Sequence, residues 1–232
     1  MKKQGFRIFL IFCFLLPLPC MGWGQPMQMA AGCHCFKDRS YDPARKFAAD
    51  EYILATSFNS MLATSFNISK KQIIMLRMRM GVGGEDLITS LYLGHLLERD
   101  FQKIITHRSS GQSWLQIVSA EEFKGKEEND SVLSIINKNG SDQDVSRSAA
   151  AMIARSYFSL PSGIIEKYRD SGFSDKEIVL VLGVSVRSGQ PVENVFALNK
   201  DKGQSWGEIT NSLGIAPGDI DDMIASVSQG GI

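Results

Sequence analysis

Cys33, His34 and Cys35 form the one local cluster of metal-ligating side chains in this sequence. Two thiolates one residue apart, with His34 or a distant His95 or His107 as a further donor, can hold a soft or borderline ion such as zinc or copper. Structural zinc sites normally pair two separated ligand elements, and the sequence has no second one. No cofactor is therefore expected, and a metal or redox role for the cluster is the alternative reading. The same cysteines could close a small, easily reduced ring, bridge two chains or, after Ala30-Ala31-Gly32, offer Cys33 for lipidation. A simple disulfide or tether is favoured.

Other chemistry-bearing residues lack the company that a reaction needs. Trp114 and Trp206 each follow a serine, and their rings could stack on a sugar or peptide as a binding face, although such aromatics more commonly staple two helices. Met75, Met78 and Met80 could offer thioethers to copper, but core packing explains them more simply. The glycine-rich Gly81 to Gly84 has no Lys-Ser or Lys-Thr behind it, which makes it a helix linker and not a phosphate loop. His95 and His107 have no nucleophile in a recognisable frame. No enzyme class emerges.

The elements that must position these residues are announced by a pattern that recurs four times. Its copies are Asn67-Ile68-Ser69-Lys70-Lys71-Gln72-Ile73, Gly111-Gln112-Ser113-Trp114-Leu115-Gln116-Ile117, Gly172-Phe173-Ser174-Asp175-Lys176-Glu177-Ile178 and Gly203-Gln204-Ser205-Trp206-Gly207-Glu208-Ile209. Asn67, Gly111, Gly172 and Gly203 suit the left-handed conformation that closes a helix. Ser69, Ser113, Ser174 and Ser205 suit the N-cap of the next, and Gln or Glu three residues later completes a capping box. Each copy should end one helix and begin another within two residues. Arg108, Arg169 and Lys200, three residues before their glycines, read as helix-end charges facing solvent.

The copies lie 44, 61 and 31 residues apart, so the expected fold is all-α, an irregular helix-turn-helix repeat array rather than a regular solenoid. Asp42-Pro43 opens a helix carrying Phe47, Leu54, Phe58, Met61 and Leu62 at helical spacing. Pro161, Pro191 and Pro217 suit early helical positions. Ile178 to Leu182 could pass for a strand, but its place behind a capping box favours helix. The polar stretch 121–147 reads as an insertion or linker between helical halves at 42–120 and 148–232.

Lys2, Lys3 and Arg7 precede the apolar run Ile8 to Leu16, and Gly22 and Gly24 follow, which is the order of a signal peptide over 1–24. An extended segment with the Cys-His-Cys cluster would then occupy 25–41. Cleavage leaves 208 residues with a formal charge of −3, because three of the 25 Lys and Arg and none of the 25 Asp and Glu are removed. Such a surface has no general attraction for nucleic acid. The expected location is periplasmic or secreted, with membrane attachment only through an uncleaved signal or a lipidated Cys33.

Cys33 to Phe66 and the corners at Gly111 and Gly203 resemble a group of exported bacterial helical proteins that combine an N-terminal Cys-His-Cys with Gly-x-Ser-Trp corners. The resemblance implies a helical fold and an extracytoplasmic compartment, and no particular activity. Locally, Gly203 to Ile215 resembles the helix-turn-helix of transcription regulators. The helix that would enter the major groove, Pro217 to Ala225, holds three Asp and no Lys or Arg, which argues against DNA binding. The function expected from these residues is a non-enzymatic binding or scaffold protein with a protein or peptide partner in the cell envelope.

Overall fold

The structure is a computed structural model that describes residues 39–120 and 130–227. Cys33, His34, Cys35, the signal segment and most of the extended segment lie outside the described residues. Among the described residues all regular structure is helical, and no strand occurs. The helices are α1 (Asp50–Ser65), α2 (Lys70–Arg79), α3 (Gly84–Leu96), α4 (Phe101–Ser109), α5 (Trp114–Ser119), α6 (Ser131–Asn137) and α7 (Asp142–Tyr157). They continue as α8 (Ile164–Asp170), α9 (Asp175–Ser188), α10 (Val192–Lys200), α11 (Trp206–Ser212) and α12 (Ile220–Val227). Short 3-10 turns at Pro43–Arg45 and Pro217–Asp219 precede α1 and α12.

No charged residue occurs from Tyr52 to Ser69, and that explains why α1 takes the centre. It packs on α9 and α12, with α2, α7 and α11 around it. Ile53, Met61 and Leu62 are buried, but so are Thr56, Ser57, Asn59 and Ser60. A helix enclosed on all sides need not be amphipathic. The Ser57 hydroxyl turns back onto the helix and donates to the Leu54 carbonyl at 3.0 Å, and the Ser60 hydroxyl oxygen lies 2.7 Å from the Thr56 carbonyl. By contrast, α7 has a solvent face, and its buried stripe Val145, Ala149, Ile153 and Tyr157 steps four residues at a time.

At all four corners a left-handed residue closes one helix and the serine caps the next, while the full capping box forms at two. Asn67, Gly111, Gly172 and Gly203 have φ of 49°, 90°, 96° and 63°. Ser69, Ser113, Ser174 and Ser205 accept from the backbone N–H of Gln72, Gln116, Glu177 and Glu208. The reciprocal half of the capping box is present at Ser113 and Ser174. Five further connections have the same geometry, with a left-handed residue two before the cap: Gly81 and Gly83, Glu98 and Asp100, Asn139 and Ser141, Gly189 and Pro191, Gly214 and Ala216. Several are closed by the same bond across the turn, such as Arg99 N–H to the Gly94 carbonyl at 2.8 Å and Ile215 N–H to that of Thr210 at 2.9 Å.

Three expectations are corrected. From Asp130 onward, the supposed linker 121–147 is helical: Asp130 caps α6, Ser141 caps α7, and Val132, Ile136 and Val145 enter the core. One hydrophobic core, from Ala49 to Ile224, takes in residues of both helical halves. Near the N-terminus, Asp42 caps only the 3-10 turn, α1 starts at Asp50, and Phe47 is 58% exposed. Met78 and Met80, expected in the core, lie at the exposed end of α2.

Candidate functional site

The third and fourth corners build a largely apolar hollow at the surface. Gly163, at φ 82°, starts α8, and the corner at Gly172 ends it. Tyr168 therefore sits in the last turn of α8, and Phe173 occupies the position between the left-handed glycine and its capping serine. The helix entering the next corner, α10, supplies Phe196. Phe173 and Phe196 have ring centroids 4.0 Å apart, and Tyr168 lies 4.7 Å from Phe196. The three rings floor a hollow of about 200 Å³ between α8 and α10.

Polar groups converge on its rim. Tyr168 donates to Glu193 Oε1 at 3.3 Å, and Lys167 Nζ lies 3.5 Å from the same oxygen. Glu193 is held below the usual carboxylate range, first by a bond from its own backbone N–H and then by Tyr168 and Lys167. Burial, with Glu193 alongside, pushes the Tyr168 phenol up. Lys200 reaches back to the Ser171 carbonyl at 2.9 Å and stands 5.9 Å over the Phe173 ring. An apolar floor with a few placed polar groups is the usual form of a binding site.

Of the basic residues read as solvent-facing, Lys200 is exposed, whereas Arg108 and Arg169 tie the corners together instead. Arg169, only 9% exposed, donates to Asp175 Oδ1 at 2.6 Å and to the Arg147 carbonyl at 2.8 Å. Arg108 bridges Asp86 and Asp142 at the starts of α3 and α7, and lies 4.6 Å from the Trp114 ring centre. Trp114 and Trp206, considered as a binding face, are 4% and 3% exposed, so neither ring offers a face to a ligand. The Trp206 indole donates to Glu177 Oε1 at 3.2 Å, which pins the fourth corner onto the third.

Groups that resemble reactive sets are occupied by helix ends. Asp50 and Glu177 are neighbouring carboxylates, but Asp50 accepts the backbone N–H groups of Gly207 at 2.8 Å and Trp206 at 3.1 Å. Glu177 closes the capping box of α9. Ser60, Asp221 and Lys70 meet in a line, Ser60 donating to Asp221 at 2.6 Å, inside the packing of α1 against α12. His95 stands edge-on to Phe66, whereas His107 Nδ1 is 3.1 Å from Gln112 Oε1. Among the described residues no group of three or more His, Cys, Asp or Glu could hold a metal ion. None of the described helices is long and apolar enough to cross a membrane.

The segment that resembles a DNA-reading helix belongs to the core. Ile220, Met223, Ile224 and Val227 of α12 are buried against α1 and α9, and the exposed residues are Asp222, Ala225 and Ser226. None of the three can neutralise a phosphate.

Comparison with protein-family models, with curated proteins and with solved structures gives no match to this chain.

The aromatic hollow was not foreseen from the sequence. Its signal is Phe173, an aromatic at the corner position that holds Ile68, Gln112 and Gln204 in the other copies, with Phe196 approaching from the next helix.

Proposed function

We propose that this chain is an exported, non-enzymatic binding protein that takes a protein or peptide partner at the hollow between α8 and α10. The observation that carries the reading is a surface hollow in which the half-buried Phe173 lies over the largely buried Tyr168 and Phe196, with charged groups around it. A hollow of that size suits one large apolar side chain of a partner, and buried aromatic anchors dominate protein recognition. The carboxylates and hydroxyls that a reaction would use are engaged elsewhere, as Asp50, Glu177 and Ser205 show. Export rests on the charged start and apolar run of residues 2 to 16.

A photo-crosslinking amino acid in place of the exposed Lys167 tests the reading in cells. The expected result is a covalent adduct with a discrete envelope protein, lost when residues 1–24 are deleted. Absence of any adduct, together with substrate turnover by the purified chain, overturns it. Mass spectrometry of the mature N-terminus checks cleavage near Gly24.

A further inference from the structure

The aromatic hollow has a neighbour on the opposite flank of α10. This second hollow, of about 380 Å³, is floored by Val195, Leu198 and Leu213. Ala197 lines both hollows and is the ridge between them. A larger residue there would wall one from the other, whereas a methyl group leaves a saddle across the helix. Two apolar depressions on either side of one helix are separated by about its width, roughly 10 Å. Two side chains two turns apart on a partner helix are separated by about 11 Å.

The charge around the saddle is uneven. Glu193 is matched by Tyr168 and Lys167. Lys200 bonds only a backbone carbonyl, and Lys202, at the second hollow, has no ion pair among the described residues. Asp201 between them offsets one of these cations, so the unmatched charge is positive.

We propose that the saddle over Ala197 binds an amphipathic helix of a protein partner. Two large apolar residues of that helix, two turns apart, fill the hollows, and an acidic residue beyond the second meets Lys202. Apolar anchors at such intervals are how a helix docks into a groove. The inference rests on the binding reading above and names the chemistry of its partner.

The test uses a fluorescein-labelled helical peptide with two leucines two turns apart and a glutamate one turn beyond the second, followed by fluorescence anisotropy against the full chain. Ala197→Arg blocks the ridge, and its fold is checked by its thermal melt. Binding should fall about tenfold or more, the loss expected when an anchor is excluded. Lys202→Glu, at an exposed position, should weaken the glutamate peptide several-fold, and a lysine in the peptide should restore it. Failure of the peptide to bind, equal binding by wild type and Ala197→Arg, or failure of the charge swap overturns the proposal. So does a wild-type dimer in sedimentation that Ala197→Arg splits, because the saddle would then belong to a second copy. An in-cell adduct at position 167 that survives Ala197→Arg would leave the binding reading standing and remove only the saddle.

Discussion

At the scale of single residues, similar caps carry different loads. Ser113 is an exposed cap whose hydroxyl accepts only the Gln116 N–H, at 3.2 Å. Ser205 is fully buried, accepts the Glu208 N–H at 3.0 Å and donates to the Lys46 carbonyl at 2.6 Å. Ser113→Ala should cost about 1 kcal/mol in urea unfolding, the usual value of a cap. Ser205→Ala should cost about 2 kcal/mol or more, because the buried hydroxyl makes two bonds and its loss also removes the donor to the Lys46 carbonyl.

Asp50 supplies a pH dependence with a definite sign. Burial pushes its carboxyl above the ordinary value; the N–H groups of Gly207 and Trp206 oppose the shift, and the charge of Glu177 adds to it. The folded chain therefore takes up this proton at a pH where the unfolded chain has released it. The contribution is fully present below the ordinary carboxylate value and is lost as pH rises through the raised one. The stability gap between wild type and Asp50→Asn should narrow as pH rises through that window. Urea titrations at stepped pH measure it, and a gap that widens would remove burial as the governing cause.

At the scale of elements, two helix glycines should respond to the same change to different degrees. A Cβ on Gly94 would lie 2.8 Å from Phe101 Cβ and 3.1 Å from the Arg99 carbonyl oxygen, where α3 meets α4. Those atoms are fixed by the corner at Glu98, so Gly94→Ala should destabilise by about 1–3 kcal/mol despite the better helix propensity of alanine. A Cβ on Gly183 would meet Ile224 Cδ1 at 2.4 Å and Met223 Cε at 3.1 Å. Both are ends of flexible side chains that can turn aside, so Gly183→Ala should stay within about 1 kcal/mol of wild type. Thermal melts of the two variants compare them directly.

The corners also show what was legible in the sequence. Helices and their ends could be read wherever a left-handed Gly or Asn met a serine cap, because those residue types have local backbone reasons to be there. Gly83, Pro191 and Ala216 cap without a side-chain acceptor, and Glu98 takes a positive φ that its type does not suggest. Those corners show a glycine or proline in the sequence at most, without the serine cap that makes the full pattern legible. Asn139-Gly140-Ser141 did carry the pattern, but its polar surroundings made it look like a linker. The hollow between α8 and α10 needs the third and fourth corners to stack, which spacing along the chain does not encode.

At the scale of the whole molecule, the C-terminal helix closes the fold. α12 packs on α1 near the start of the described chain and on α9, and four of its residues lie in the core. Tyr157 at the end of α7 donates to the Ile224 carbonyl at 2.7 Å, while Asp221 receives Ser60 and pairs with Lys70 of α2. Truncation after Ile215 would remove the apolar cover of α1 and leave the Tyr157 and Ser60 hydroxyls without these partners. A central helix rich in buried Ser and Thr has little apolar surface of its own with which to compensate. The truncated chain should keep much of its far-ultraviolet helical signal but lose its cooperative melt and bind a hydrophobic dye, as compact states without fixed packing do. Asp221→Ala, which removes only the polar clasp, should still melt cooperatively, at a temperature several degrees lower; for a chain of this size each kcal/mol corresponds to about 2–4 °C. A truncated chain that melts as sharply as wild type would make α12 an appendage, and the core would then have to be complete without it.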